Sequence, residues 1–174
     1  MKKRKSNRLD FEIDKLTNSI ENVKTGDSFK TEVSLVTKDE IKQITKKNKW
    51  VFDWKTEFKA PEREVYKVTI AGSLNIQGLL SLTFRDDHVY MHLIESAHFN
   101  KGKNKVYLGV AGNLVAFACK LSFQRGGGGY LSFNSKSRLI EHYKNSLGAV
   151  HFSGTLMVIK PETALKLIDK YFNE

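Results

Sequence analysis

A single cysteine, Cys119, leaves no partner for an intramolecular disulfide in this chain of 174 residues, so a reducing interior is the expected compartment. Proline is almost as scarce: Pro61 marks a break after Ala60, and Pro161 suits the first position of a helix. No uninterrupted apolar run approaches the roughly 20 residues of a spanning helix. The longest candidate, Leu108 to Phe123, is broken by Gly109, Gly112, Asn113 and Lys120. The start, Met1 to Arg8, is basic without an apolar stretch behind it, so no secretory signal is read and the cytoplasm is expected. With 40% apolar, 11% aromatic and 28% charged residues, the chain has the composition of a globular protein.

Acidic residues are also in deficit, 19 Asp+Glu against 29 Lys+Arg, for a formal net charge of +10. The imbalance is uneven: 15 basic against 10 acidic residues over 1–60, 3 against 5 over 61–100, and 11 against 4 over 101–174. Clusters at Lys101, Lys103 and Lys105 and at Lys136, Arg138 and Lys144 would concentrate phosphate-bearing partners; each lysine is equally read as solvated surface. The basic run over 1–8 reads as a frayed tail.

Leu9, Ile13, Leu16, Ile20 and Val23 recur at helical spacing, which predicts an amphipathic helix over 9–23 and a basic tail plus helix over 1–25. A strand follows from Phe29 to Val36. Thr37 with Glu40 three residues on is a capping box opening a helix to about Lys47. Glu64 to Ala71, Ile76 to Phe84 and His88 to Ser96 read as three strands of an antiparallel meander, with Trp50 to Trp54 unassigned. Gly109 to Phe123 reads as a buried helix, Tyr130 to Phe133 as a strand, and Ser137 to Leu147 as a helix stopped by Gly148. Val150 to Ile159 is strand, interrupted near Ser153-Gly154, before a last helix with Leu165, Ile168 and Phe172 inward. The order predicts a mixed α/β sheet with helices on its faces, in one domain over 26–174.

Chemistry concentrates where the third meander strand gives way to the apolar helix. Small residues at Gly109, Ala111 and Gly112 would leave first-turn amides uncovered, and such amides carry partial positive charge. A diphosphate could sit there, neutralised further by Lys101, Lys103 or Lys105. The same glycines would equally serve tight helix-on-sheet packing. His88 and His92 lie four apart, but no third ligand stands at usable spacing, so no metal site is expected. Cys119 reads as packing.

The segment Tyr107-Leu108-Gly109-Val110-Ala111-Gly112-Asn113-Leu114-Val115 resembles the acetyl-CoA-binding half of the GNAT N-acetyltransferase superfamily. So do Gln77 to Leu82 and the helix ending His142-Tyr143-Lys144-Asn145-Ser146-Leu147-Gly148. The likeness covers about residues 29–160. It implies a central, mostly antiparallel sheet with helices on both faces and acetyl-CoA as co-substrate. It further implies a pyrophosphate arm of Gly109, Val110, Ala111, Gly112 and Asn113 with Lys105 nearby, and backbone around Leu93, Ile94 and Ser96 for the pantetheine. Tyr143 would protonate the leaving thiolate, and Glu95, or alternatively His98, would draw a proton from the amine. The family's usual Arg or Gln three residues before the first arm glycine is Val106 here.

Two functions follow from the resemblance. One is an N-acetyltransferase acting on an amine-bearing acceptor, with aminoacyl-tRNA or another polyanion favoured by the charge, a toxin-like role under an antitoxin, and homodimerisation as a further option. The other, favoured by Val106, is a catalytically inactive GNAT-like module that binds nucleic acid or protein. Neither involves a membrane.

Overall fold

The computed structural model describes residues 8–17 and 19–172; the basic residues of the run over 1–7 lie outside them. In chain order the elements are strands β1 (Ile20–Asn22), β2 (Ser28–Phe29) and β3 (Thr31–Leu35), helices α1 (Lys38–Ile41) and α2 (Trp54–Lys59), and strands β4 (Glu64–Ile70), β5 (Ile76–Phe84), β6 (Val89–Ser96) and β7 (Tyr107–Leu108). Helix α3 (Val110–Gln124), β8 (Leu131–Asn134), α4 (Ile140–Leu147), β9 (Val150–Ser153), β10 (Leu156–Ile159) and α5 (Pro161–Phe172) complete the fold. A seven-stranded sheet runs β3-β4-β5-β6-β8-β10-β9, and β2-β1-β7 form a small second sheet. Every neighbour in the large sheet is antiparallel except β6 and β8.

Alternation along the meander explains the two faces. Val65, Leu79 and Leu93 point to one side and pack with Ile41, Trp50 and Trp54 from the α1–α2 region. Tyr66, Leu80 and Ile94 point to the other side, against Leu114, Ala118, Tyr143 and Leu167. Helix α3 reaches the sheet closely because Gly78 on β5 has no side chain; a Cβ there would stand 2.9 Å from Val110 Cγ1. Helix α5 packs on α3 at Gly112, where an added Cβ would fall 2.0 Å from the Tyr171 hydroxyl. No described helix is long and apolar enough to cross a membrane.

Several expectations need correction. The helix over 9–23 does not form: residues 9–17 are irregular and extended, and β1 pairs with β2 and β7. Its apolar spacing is real, since Leu9, Ile13 and Ile20 are buried, but an extended chain in a groove buries them as well as a helix would. The strand from Phe29 to Val36 is split by Lys30 into β2 and β3. The capping box is present, with Glu40 N–H donating to Thr37 Oγ1 at 3.2 Å and Thr37 N–H to Glu40 Oε1 at 3.0 Å. Helix α1 nonetheless ends at Ile41, well short of Lys47, and turns lead to Lys49 at φ 68°. The unassigned aromatic stretch opens α2, capped by Asp53, whose carboxylate accepts from Thr56 N–H at 3.2 Å. On α5 the buried positions are Ala164, Leu167 and Tyr171; Ile168 and Phe172 pack partly buried on the same core, as expected, whereas Leu165 is 57% exposed.

His92 does not share an open face with His88. His88 pairs with Asp87, whereas His92 is half-buried, its Nε2 2.5 Å from the Thr83 hydroxyl and its ring 4.7 Å from that of Tyr90. Burial, then the charges of Arg63 and Arg85, hold its pKa down at about 4. The unfolded chain therefore binds the extra proton first. We expect the urea midpoint to fall as pH drops from about 6.5 towards 4, and a His92→Gln variant to flatten that stretch of the profile. Gly112→Ala should destabilise by about 1–3 kcal/mol in urea unfolding, with part of the loss recovered in a Tyr171→Phe background.

Candidate functional site

Parallel strands β6 and β8 pair only at Val89–Leu131 and Tyr90–Ser132. Beyond these two pairs the strands part, and the opening lies beside the N-terminus of α3. Residues 8–17 run through it as a strap. Leu9 N–H donates to the Asn134 carbonyl at 2.7 Å and Lys136 N–H donates to the Leu9 carbonyl at 3.0 Å, so Leu9 extends the sheet along the free side of β8. Between the strap and the free edge of β6 is a cavity of about 420 Å³, within the size range of small-molecule pockets. Leu93, Ile94, Glu95 and Ser96 line it on one side, Asp10, Phe11 and Asp14 on the other.

Helix α3 starts at a residue that must be glycine. Gly109 caps it at φ 85°, and a Cβ would meet Thr17 Oγ1 at 1.9 Å. The seat expected for an anion is anionophilic and filled: Gly109 N–H donates to Asp14 Oδ1 at 3.3 Å, and Lys105 Nζ lies 3.3 Å from Asp14 Oδ2. A carboxylate is what the partial charge of a helix start attracts. Val110 and Ala111 are buried, Ala111 on the cavity wall; Gly112 is covered by Tyr171, and Asn113 Nδ2 donates to Thr31 Oγ1 at 3.0 Å. These five residues are thus contiguous at the helix start, but the seat for a diphosphate is held by the strap. The cluster at Lys101, Lys103 and Lys105 is partly committed as well, since Lys101 pairs with Glu95 at 3.1 Å.

Tyr143 is fully buried, its ring wedged edge-on against Phe133 and tilted on Phe11 at centroid distances of 5.3 and 5.4 Å. Its hydroxyl donates to the Phe11 carbonyl at 2.5 Å, so it does not stand wet on the helix surface; it faces the strap. Burial pushes the phenol above its ordinary value and keeps it a proton donor. The neighbouring His142 accepts from Ile13 N–H at Nε2 over 2.8 Å, a second tie between α4 and the strap.

Glu95 does not point to solvent. Its side chain is 1% exposed and accepts from Val51 N–H at 2.8 Å, Phe52 N–H at 3.2 Å, Trp54 Nε1–H at 2.8 Å and Lys101 Nζ. A carboxylate with both oxygens engaged by four donors clamps the 51–54 segment to β6, and a proton-accepting role would require one of those bonds to open. The two tryptophans cover the core, while Val51 and Phe52 reach the cavity. His98 is exposed in a short turn against Phe99 and lines a different groove with Glu40 and Trp50, so the fold separates it from Glu95 and Tyr143. Cys119 is fully buried, its thiol pushed up to about 12 by burial.

Sequence reasoning missed the strap entirely. Its signal was Asp10 and Asp14, two acids four apart opposite a basic last third: Asp10 pairs with both Lys136 and Arg138, which hold its carboxyl below the usual range.

This topology, with a mostly antiparallel sheet, helices on both faces and two parallel strands that part beside a helix start, is the GNAT acyl-CoA N-acyltransferase fold. The solved structures that share it include mutant forms of the spermidine/spermine N-acetyltransferase SpeG from Vibrio cholerae, 15% identical over 79% of this chain and 97% of that one, at a TM-score of 0.55. Others are a Bacillus subtilis acetyltransferase in complex with CoA, 14% identical over 76% and 99% at 0.50, and a mutant AtaT toxin bound to the C-terminus of the antitoxin AtaR, 12% identical over 79% and 97% at 0.53. At such identities the likeness is one of fold. No protein-family model and no curated protein sequence matches this chain.

The residues fit coenzyme A in kind but not in the arrangement described. The cations and the helix start suit a diphosphate, yet Asp14 and a diphosphate cannot share one seat. Glu95→Gln places an amide NH₂ against backbone donors; we expect a loss of about 2–3 kcal/mol in urea unfolding and a changed Trp54 emission.

Proposed function

We propose that the chain is an acyl-CoA-dependent N-acetyltransferase acting on an amine borne by a phosphate-rich acceptor. The observation that carries this reading is the coincidence, at one opening, of a free β6 edge over Leu93 to Ser96, a glycine-started helix, and Lys105 beside its first amide. Tyr143 is the group we assign to hand a proton to a leaving thiolate: its hydroxyl bonds the carbonyl of Phe11, a residue of the cavity wall, and burial keeps it protonated. Glu95 is a positioning residue for the aromatic wall, and His98 takes no part. In this reading residues 26–174 make up the GNAT-like domain, with Leu9, Ile13 and Ile20 of the preceding segment packed into its core, and the protein works in the cytoplasm.

The acceptor is argued from charge. A protein at +10 repels a polyamine and attracts an aminoacyl-tRNA, which supports a toxin-like role restrained by an antitoxin or a copy of the same chain. Calorimetry with CoA and thiol release from acetyl-CoA test the reading: we expect saturable binding, and release with aminoacyl-tRNA but not with spermidine. Release with spermidine alone would overturn the acceptor.

A second reading has its own support. The Gly109 amide and the Tyr143 hydroxyl are already spent on Asp14 and Phe11, and Val106 adds no charge to the phosphate seat, as expected of an inactive GNAT-like module that binds nucleic acid or protein. It predicts tRNA retention with no CoA binding at any concentration.

A further inference from the structure

We propose that residues 8–17 are a built-in competitor for the acyl-CoA channel, an intrasteric strap that must leave before a phosphate-bearing ligand can enter. The proposal rests on reading that channel as an acyl-CoA site.

Three contacts make the strap a mimic of a linear anionic ligand. The backbone of Leu9 adds to the sheet where β8 has lost β6, by two hydrogen bonds of the kind any extended ligand would make there. The Phe11 carbonyl accepts the hydrogen bond of the Tyr143 hydroxyl. Asp14 sets its carboxylate on the Gly109 amide with Lys105 alongside. The strap thus supplies an extended backbone at Leu9, an acceptor at Phe11 and an anion at Asp14, in that order along the chain, and nothing else can use those partners while it is in place.

The same segment is built to be released. Among residues 8–17 only Leu9, Ile13 and Thr17 are buried; Asp10, Glu12, Asp14 and Lys15 are exposed, and the backbone forms no helix or strand of its own. Its charged ties are ion pairs: Asp10 with Lys136 and Arg138, whose cations are exposed and whose pairs are individually weak, and Asp14 with Lys105, which is partly buried. A phosphate group arriving at the same cations replaces each carboxylate like for like. Displacement then frees three basic side chains, Lys105 on the cavity wall and Lys136 and Arg138 beside the strap, so ligand entry and acceptor attraction are coupled through one exchange of anions.

The exchange has a measurable cost. An apparent dissociation constant is the intrinsic one divided by the fraction of molecules with the strap open. A double variant, Asp10→Ala with Asp14→Ala, removes the strap's ion pairs and changes no apolar side chain, so residues 19–172 keep their fold. CoA is titrated calorimetrically into the full-length wild type and the variant, with amide hydrogen exchange over residues 8–17 followed in both. We expect the variant to bind CoA about tenfold tighter or more, its strap amides to exchange faster, and CoA to accelerate the same amides in the wild type. Equal CoA affinity in the two proteins, with the variant's strap released, would overturn the competitor and leave the acetyltransferase standing. Absence of CoA binding to both, with the strap released, would overturn the acyl-CoA reading itself and the proposal with it.

Discussion

The sheet stops being continuous where β6 and β8 part after Val89–Leu131 and Tyr90–Ser132, and the unpaired backbone edges so created have to be dealt with. On the β8 side Leu9 supplies the missing partner; on the β6 side a cavity is left, walled by Leu93 to Ser96. The parallel pairing itself is forced by α3, which carries the chain back across the sheet so that β8 runs in the direction of β6. The opening is therefore a consequence of topology.

Electrostatics then decides what the opening prefers. The start of α3 offers the Gly109 amide with Lys105 beside it, and Lys136 and Arg138 add positive charge along the strap. Asp10 and Asp14 neutralise part of it from within the chain. The strap's carboxylates meet three cations and a helix start, the same groups that the proposed phosphate would use.

The other face of the sheet works as a rigid backing. Glu95 ties the Val51–Trp54 segment to β6 through four donors, and Arg63 forms a close pair with Glu57, which also accepts from Ser81 on β5. Buried carboxylates satisfied this fully hold geometry, which explains why Glu95, chosen from sequence as a proton acceptor, turns out to anchor a loop.

Local pattern by itself determined a good deal. The alternation in Glu64 to Ser96 gave the meander, Thr37 and Glu40 gave a capped helix, Gly148 a stop, and the glycine-and-alanine start of α3 an electropositive seat, because each depends on neighbours within a few residues. The strap was decided elsewhere. Leu9, Ile13 and Ile20 announce only that they need burial, and either a helix on a surface or an extended chain in a groove provides it; the choice went to the groove through partners more than 120 residues away, His142 for Ile13 and Tyr143 for Phe11. Whether an amide, a hydroxyl or a carboxylate is available to a ligand depends on what the rest of the chain brings against it, and that is settled in three dimensions, since the hydrogen bonds concerned join segments with no local relation in sequence.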